Sequence, residues 1–351
     1  VTVTVVLELN GEDYTFTKDI ELDVLDADSL VYIGIDASHD NEYVAGNYKD
    51  SMGNFGSLAA DYSVRTVTLN TSEELIAACS NPKYKALILT VPSRRNGDSL
   101  RNPYKTYSDA EISAINDFNE KKGGMVVLAG WSDYYEHYEA FPAADHMAAQ
   151  QNKVLAALGS SLRISDNGTM DDTLNGGQPQ RLYFSSYNLD HFLMAGVEYN
   201  AEHPNDVMYT ERFSQYGGAS IYAVGTDGKP TSELPGTVDP MVYGHVNTYV
   251  KDQDSDGGAA GTPKYTFAEN DKRLLIMATE QLTGRGMIVV AGAAFMSNFE
   301  VQAQLDNGAE KNYSNYKICE NLVQLLNPVK ITPIETVQAE ADEGVKFTVE
   351  G

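Results

Sequence analysis

The residues best suited to chemistry gather where apolar runs stop. Leu30-Val31-Tyr32-Ile33-Gly34-Ile35 ends abruptly in Asp36, Ser38, His39, Asp40 and Asn41. Three other apolar runs end in the same way, at Ser93-Arg94-Arg95-Asn96, at Trp131-Ser132-Asp133 and at Ser297-Asn298. In an open α/β sheet, ligands sit at the carboxyl ends of the strands. If the strands are parallel, these loops share one edge. Asp36, Ser38, His39, Asn41, Ser93, Arg94, Trp131, Ser132, Asp133, Ser297 and Asn298 are then the expected ligand-binding set. For any one loop, the alternative is that its polar groups satisfy local backbone.

Lys251-Asp252-Gln253-Asp254-Ser255-Asp256-Gly257 has the D-x-D-x-D-G opening of a calcium loop. Three carboxylates at alternate positions and a glycine for the turn suit a hard cation. Asp252, Asp254 and Asp256 are therefore the expected metal ligands, with calcium as the one candidate cofactor. The ninth and twelfth positions are Ala260 and Pro263, so a complete EF-hand is excluded. The alternative is a flexible acidic surface loop. Asp166, Asp171 and Asp172 form a second, less patterned acidic group. His39, His137, His146, His191, His203 and His245 are isolated and have no zinc-site spacing. A metal between His39, Asp36 and Asp40 is less expected than Asp36 capping backbone N–H groups.

Trp131, Tyr134, Tyr135, Tyr138 and Phe141 lie beside Asp133, Glu136 and His137. Such rings either stack against sugar faces or pack an insertion onto the sheet. Their spacing does not support Asp133 and Glu136 as a glycosidase pair. Arg94-Arg95 suits a carboxylate or phosphate ligand, or pairs internally with an acid such as Asp98.

The elements that must position these groups follow a strand–helix rhythm. Strands are expected at 31–35, 66–69, 86–90, 125–129, 273–278 and 287–290. Helices are expected at 54–62, 72–78 (capped by Ser72), 108–121, 145–158 and 313–326. Ser108 and Glu111 have capping-box spacing. Alternating short apolar strands and amphipathic helices predict an α/β fold with a doubly wound, mostly parallel, flavodoxin-like sheet. A large irregular insertion is expected at about 160–265, with a few strand-like pieces such as Ala219–Val224 and Pro240–Tyr243. Residues 1–28 alternate around Asn10-Gly11 as a β-hairpin, similar to the closing strands of an immunoglobulin-like domain. Residues 331–351 read as a linker and the start of a further β domain, similar to the OB-fold of secreted bacterial nucleases. The α/β domain is expected to span 29–330, and the chain reads as a segment of a longer protein.

GRGMIVVAGAAFMSNFE followed by NYSNYKICENLVQLL resembles the end of the class I glutamine amidotransferase-like fold. The similarity is to the non-catalytic branch found in gliding-motility and intraflagellar-transport proteins and in bacterial surface proteins. It rests on Met287–Val290, Gly292 to Asn298, Asn321-Leu322-Val323 and the loop Asp36 to Asn41, and covers roughly 30–328. The resemblance puts Ser132 where catalytic members carry a cysteine nucleophile. At the family's histidine position it puts Ala293, Phe295 and Met296. A hydrolase using Ser132 with His39 or His245 is thus the alternative to a non-catalytic binding domain.

Composition constrains the partners. Fifty acidic residues against 25 basic ones give a formal charge of −25, a field that repels nucleic acid and anionic lipid. No apolar run is long enough for a membrane span. Cys79 and Cys319 lie among helical apolar residues and are expected to be buried free thiols. Acidity, 22 tyrosines and abundant Asn, Asp and Gly suit an extracellular or cell-wall-attached bacterial protein. The expected function is binding a small polar ligand or glycan, or scaffolding neighbouring domains such as a nuclease.

Overall fold

The computed structural model describes residues 2–9, 12–19, 30–97, 99–136, 143–258, 261–301 and 313–327. Thr2–Leu9 and Glu12–Asp19 pair antiparallel over their full length, as the alternation predicts. The Asn10-Gly11 turn and the linker at 331–351 lie outside the described residues.

The main sheet is assembled from β1 (Val31–Asp36), β2 (Val64–Leu69), β3 (Tyr84–Thr90), β4 (Met125–Ala129), β5 (Val238–Tyr243), β6 (Leu275–Glu280) and β7 (Ile288–Ala291). The order across it is Ser186–Tyr187, β5, β6, β7, β4, β3, β1, β2. From β7 to β2 all neighbours are parallel. The run β2-β1-β3-β4-β7 is the flavodoxin-type order, with the switch point between β1 and β3. The fold is thus the expected mixed α/β architecture with a mostly parallel central sheet.

Within this mostly parallel sheet, β6 is antiparallel to both β7 and β5, while β7 continues the parallel set. Nothing in Leu275–Glu280 encodes direction. A strand buried on both faces reads as the same apolar run either way.

Among the described residues, five α-helices cover the two faces: α1 (Gly53–Asp61), α2 (Ser72–Ser80), α3 (Asp109–Lys122), α4 (Met147–Ala157) and α5 (Ser314–Leu326). Ile33, Ile35, Ile88, Val127 and Val289 pack under α1 and α5. Leu87, Leu89, Val126, Leu128 and Val290 pack under α2, α3 and α4. Alternate residues of the same strands thus feed two cores, each fully buried side chain contributing roughly 1.5–3 kcal/mol. Gly34 faces α2, where a Cβ would lie 2.8 Å from the Leu69 side chain and 2.9 Å from that of Leu87, so a larger residue would require both leucines to shift.

The Ser108–Glu111 capping box forms as predicted. The cap of α2 is Thr71 rather than Ser72, its hydroxyl accepting from Glu74 N. Both residue types cap well, and sequence alone does not choose between neighbours. The insertion is not separate from the sheet. Leu162–Ile164 pairs with Ile221–Val224, which bridges to β6, while Ser186–Tyr187 pairs with β5. Cys79 and Cys319 are buried and free, as expected. Among the described residues no helix is long and apolar enough to cross a membrane.

Candidate functional site

The four polar loops lie at the carboxyl ends of the parallel strands, but most of their side chains turn inward. At the end of β1, Asp36 is fully buried. Its Oδ1 accepts from Ser38 N (3.0 Å) and Ser38 Oγ (2.6 Å). Its Oδ2 accepts from Tyr107 (3.1 Å) and from His39 Nδ1 (2.8 Å). His39 Nε2 reaches Glu111 Oε2 at 3.3 Å, so the capping-box glutamate of α3 also holds this imidazole. Burial pulls the His39 pKa down, but its hydrogen bonds to Asp36 and Glu111 prevail and raise it to about 9. Burial acts upward on Glu111, yet the bonds from His39 and Ser108 hold it at about 2. Asn41 Nδ2 donates to Thr90 O at 2.7 Å, clamping the β1 loop to β3.

The loop after β3 is held similarly. Ser93 Oγ donates to the buried Glu42, whose other oxygen accepts from Asn47 N (2.9 Å) and Tyr48 N (3.2 Å). Arg94 is buried, donates to Asp145 O at 2.7 Å and stacks 3.7 Å over the Tyr104 ring. Asp98, its alternative partner, lies outside the described residues. At the end of β7, Asn298 N donates to Ser51 O (2.7 Å) and its Oδ1 accepts from Asn54 N (2.8 Å), fixing the start of α1. Ser297 is fully buried.

Two cavities open at this edge. A polar cleft of about 490 Å³ is lined by Arg95, Trp131, Ser132, Tyr134, Gln180 and Tyr216, with Lys251 and Gln253 at its side. A second pocket of about 270 Å³ is walled by Tyr43, Tyr48, Tyr216 and Phe299, with Gln178, Arg181 and Glu300. Tyr216 borders both. Arg181 Nη1 bonds Glu300 Oε1 at 2.9 Å, and Ser214 donates to the other Glu300 oxygen. Phe299 is 48% exposed, so one ring of the pocket stands open to solvent.

Of the expected ligand-binding set, Trp131 and Ser132 line the cleft. Asp133 sits behind it, accepting from Gln253 N (2.8 Å) and Gln253 Nε2 (3.0 Å). Asp36, Ser38, His39, Asn41, Ser93, Arg94, Ser297 and Asn298 hold the loops and line neither cavity. The aromatic walls Tyr43, Tyr48, Tyr216 and Phe299 and the Arg181–Glu300 pair are absent from that set. Phe299 and Glu300 directly follow Ser297-Asn298, which is the one signal that pointed near them.

Ser132 N donates to Gly217 O at 2.8 Å. Among the described residues no imidazole hydrogen-bonds its hydroxyl. His39 uses both ring nitrogens on Asp36 and Glu111, and His245 Nε2 bonds Tyr183 O at 3.0 Å. His137, Tyr138 and Phe141 lie outside the described residues.

The Asp252–Asp256 loop is folded against the protein. Asp252 accepts from Ser255 N (2.7 Å) and Gly257 N (2.8 Å), and Asp256 Oδ1 accepts from Gly258 N at 2.7 Å. The loop meets His146, the residue preceding α4. His146 Nδ1 lies 2.5 Å from Asp166 Oδ2, 3.6 Å from Asp256 Oδ2 and 3.7 Å from Asp254 Oδ2. One ligand atom each of Glu136, His146, Asp166 and Asp254 lies within 4.8 Å of the others, and so do those of Asp133, Asp252 and Asp254. Burial, reinforced by neighbouring carboxylates, pushes Asp133 up to about 6, Asp254 up to about 7 and Glu136 up to about 8. Asp171 and Asp172 stand apart from this group. Asp171 accepts from Thr173 N (2.8 Å), and Asp172 accepts from Tyr249 (3.1 Å).

No family model matches the chain, and no curated protein matches it. Among solved structures it is similar to the mmIFT52 N-terminal domain, at 13% identity and a TM-score of 0.49 over 86% of this chain and 99% of that one. It is also similar to a ThuA-like protein from Bacteroides uniformis ATCC 8492, at 12% identity and a TM-score of 0.35 over 88% of this chain and 94% of that one.

Proposed function

We propose that this domain is a non-catalytic binding module for a small polar ligand, a glycan segment being the class that fits, held in the two adjoining cavities at the carboxyl edge of the sheet. The observation that carries this reading is the aromatic-walled pocket of Tyr43, Tyr48, Tyr216 and Phe299 set over the Arg181–Glu300 pair. Aromatic faces offer area to the C–H faces of a sugar, while a few fixed polar groups orient its hydroxyls. Glu300 is buried and bonded to Arg181 and Ser214, so it holds the Arg181 guanidinium in place before a ligand arrives. Tyr216 links this pocket to the polar cleft, so a ligand of two or more rings spans both. The setting proposed with it is an extracellular or wall-attached bacterial surface protein with neighbouring domains, supported by the acid excess and the Tyr- and Asn-rich composition.

The test is a glycan array followed by calorimetry with the retained sugar. Phe299→Ala and Tyr48→Ala remove stacking area worth about 1.5–3 kcal/mol per ring, so each weakens binding about tenfold or more. An array that retains nothing, or an affinity unchanged in Phe299→Ala, refutes the reading. Because Phe299 is half exposed, that variant keeps its fold.

A further inference from the structure

Six carboxylates from three segments, those of Asp133 and Glu136, of Asp166, and of Asp252, Asp254 and Asp256, form two groups that share Asp254, and one of these groups includes an imidazole, His146. An acidic cluster alone is common on protein surfaces, but this one has a buried floor. Glu136 is 1% exposed; one of its oxygens accepts from Met147 N at 2.7 Å, and the other, Oε2, has no hydrogen-bond partner. Asp166 Oδ1 is buried and unpartnered as well. A buried carboxylate oxygen without a donor carries a large desolvation cost, and such groups occur where an ion supplies the missing partner.

The donors are also close enough together to share one ion, lying within 4.8 Å of one another. Ligand atoms of one coordination sphere, each about 2.0–2.5 Å from a metal, lie roughly 3–4 Å from one another. His146 Nδ1 has that spacing to Asp256 and Asp254, while its 2.5 Å contact with Asp166 is a hydrogen bond whose proton a cation would replace.

We propose that Glu136, His146, Asp166 and Asp254 hold a divalent cation, with His146 Nδ1 as its single nitrogen ligand. The Asp252–Asp256 loop closes over the ion rather than binding it alone. Imidazole suits Mn2+ and Zn2+ better than the hard, oxygen-seeking Ca2+ and Mg2+, so the chemistry moves away from the calcium expected from the loop motif. This assignment does not depend on the glycan reading. The two sites are neighbours, since Gln253 lines the polar cleft and also bonds Asp133.

The experiment uses the full chain after dialysis against EDTA, with MnCl2, ZnCl2, CaCl2 and MgCl2 added singly and followed by calorimetry and thermal melts. Micromolar binding of Mn2+ or Zn2+ with a melting point raised by several degrees is expected. Glu136→Gln and His146→Gln each weaken binding at least tenfold, while Asp172→Asn, an acid outside the cluster, leaves it unchanged. If either buried variant fails to fold, Asp256→Asn, on the more exposed rim, is expected to weaken binding several-fold. Three results overturn the proposal. No cation binds tighter than millimolar, or binding persists in Glu136→Gln, or Ca2+ binds best and its binding survives His146→Gln.

Discussion

His39 offers the sharpest test of what holds the sheet edge together. Its ring lies between two buried carboxylates, 2.8 Å from Asp36 and 3.3 Å from Glu111. Burial alone would lower its pKa, but the two carboxylate contacts raise it from 6.5 to about 9. At about 1.4 kcal/mol per pKa unit, that difference corresponds to roughly 3 kcal/mol of folding free energy. Because the folded state binds the proton more tightly, this stabilisation is complete below about pH 6.5 and is lost as pH rises through about 9. The depressed Glu111 reports the same pair from its other side. Its share is present above about pH 4.5 and is lost as pH falls through about 2, so the two figures are not additive. His39→Leu leaves two buried carboxylates without their cation, a change that costs about 3–5 kcal/mol. Urea titrations at pH 6 and pH 10 measure both effects. The wild type is expected to exceed His39→Leu by about 3–5 kcal/mol at pH 6, and the gap to narrow by about 3 kcal/mol at pH 10. Carboxylates elsewhere titrate in both proteins and cancel in the difference. A gap that is independent of pH, or below about 1 kcal/mol at pH 6, would refute the reasoning.

Gly292→Ala would place a Cβ 1.9 Å from Ala219 O, a backbone atom where the insertion crosses the end of β7; it should cost at least about 2 kcal/mol by urea titration. Gly236→Ala, with open space around it, should change stability by less than about 1 kcal/mol. Burial raises the Cys79 thiol to about 12 and the Cys319 thiol further, so neither should react with a disulfide reagent at pH 8 in the folded protein, and both should react in urea.

The parallel core was legible because each of its strands is an apolar run closed by a polar loop, and each helix carries its own cap or periodicity. Ser108 and Glu111 announced α3 three residues apart. The antiparallel β6 was not legible, since Leu275–Glu280 has no feature that depends on the direction of its neighbour. Within the insertion the longer strands Ile221–Val224 and Val238–Tyr243 were legible as apolar pieces, but strands as short as Ser186–Tyr187 were not, because they exist only through their partners. At the site, the chemical character of Asp36 and His39 could be read locally. Their role could not, because it is decided by Glu111, 72 residues beyond His39. The Asp252–Asp256 loop was visible as a motif, whereas Glu136, His146 and Asp166 share no spacing with it.

The two clusters at the carboxyl edge face the same physical problem with different resources. Carboxylates drawn from water need compensating charge or donors. At the end of β1 the compensation is internal. His39, Tyr107 and Ser38 surround Asp36, and Ser108 with His39 completes Glu111. That network is closed and presents nothing to a ligand, which is why its polar residues serve the loops. Beyond β4 the same arithmetic does not close. One imidazole lies among Glu136, Asp166, Asp254 and Asp256, and Glu136 and Asp166 each keep a buried oxygen without a donor. Backbone N–H groups, Gln253 and His146 compensate part of this second cluster, and the proposed cation would supply the partners that the remaining buried oxygens lack. The difference between a structural polar cluster and a candidate binding site is therefore not residue type, which is nearly the same in both, but whether the chain satisfies its own buried groups.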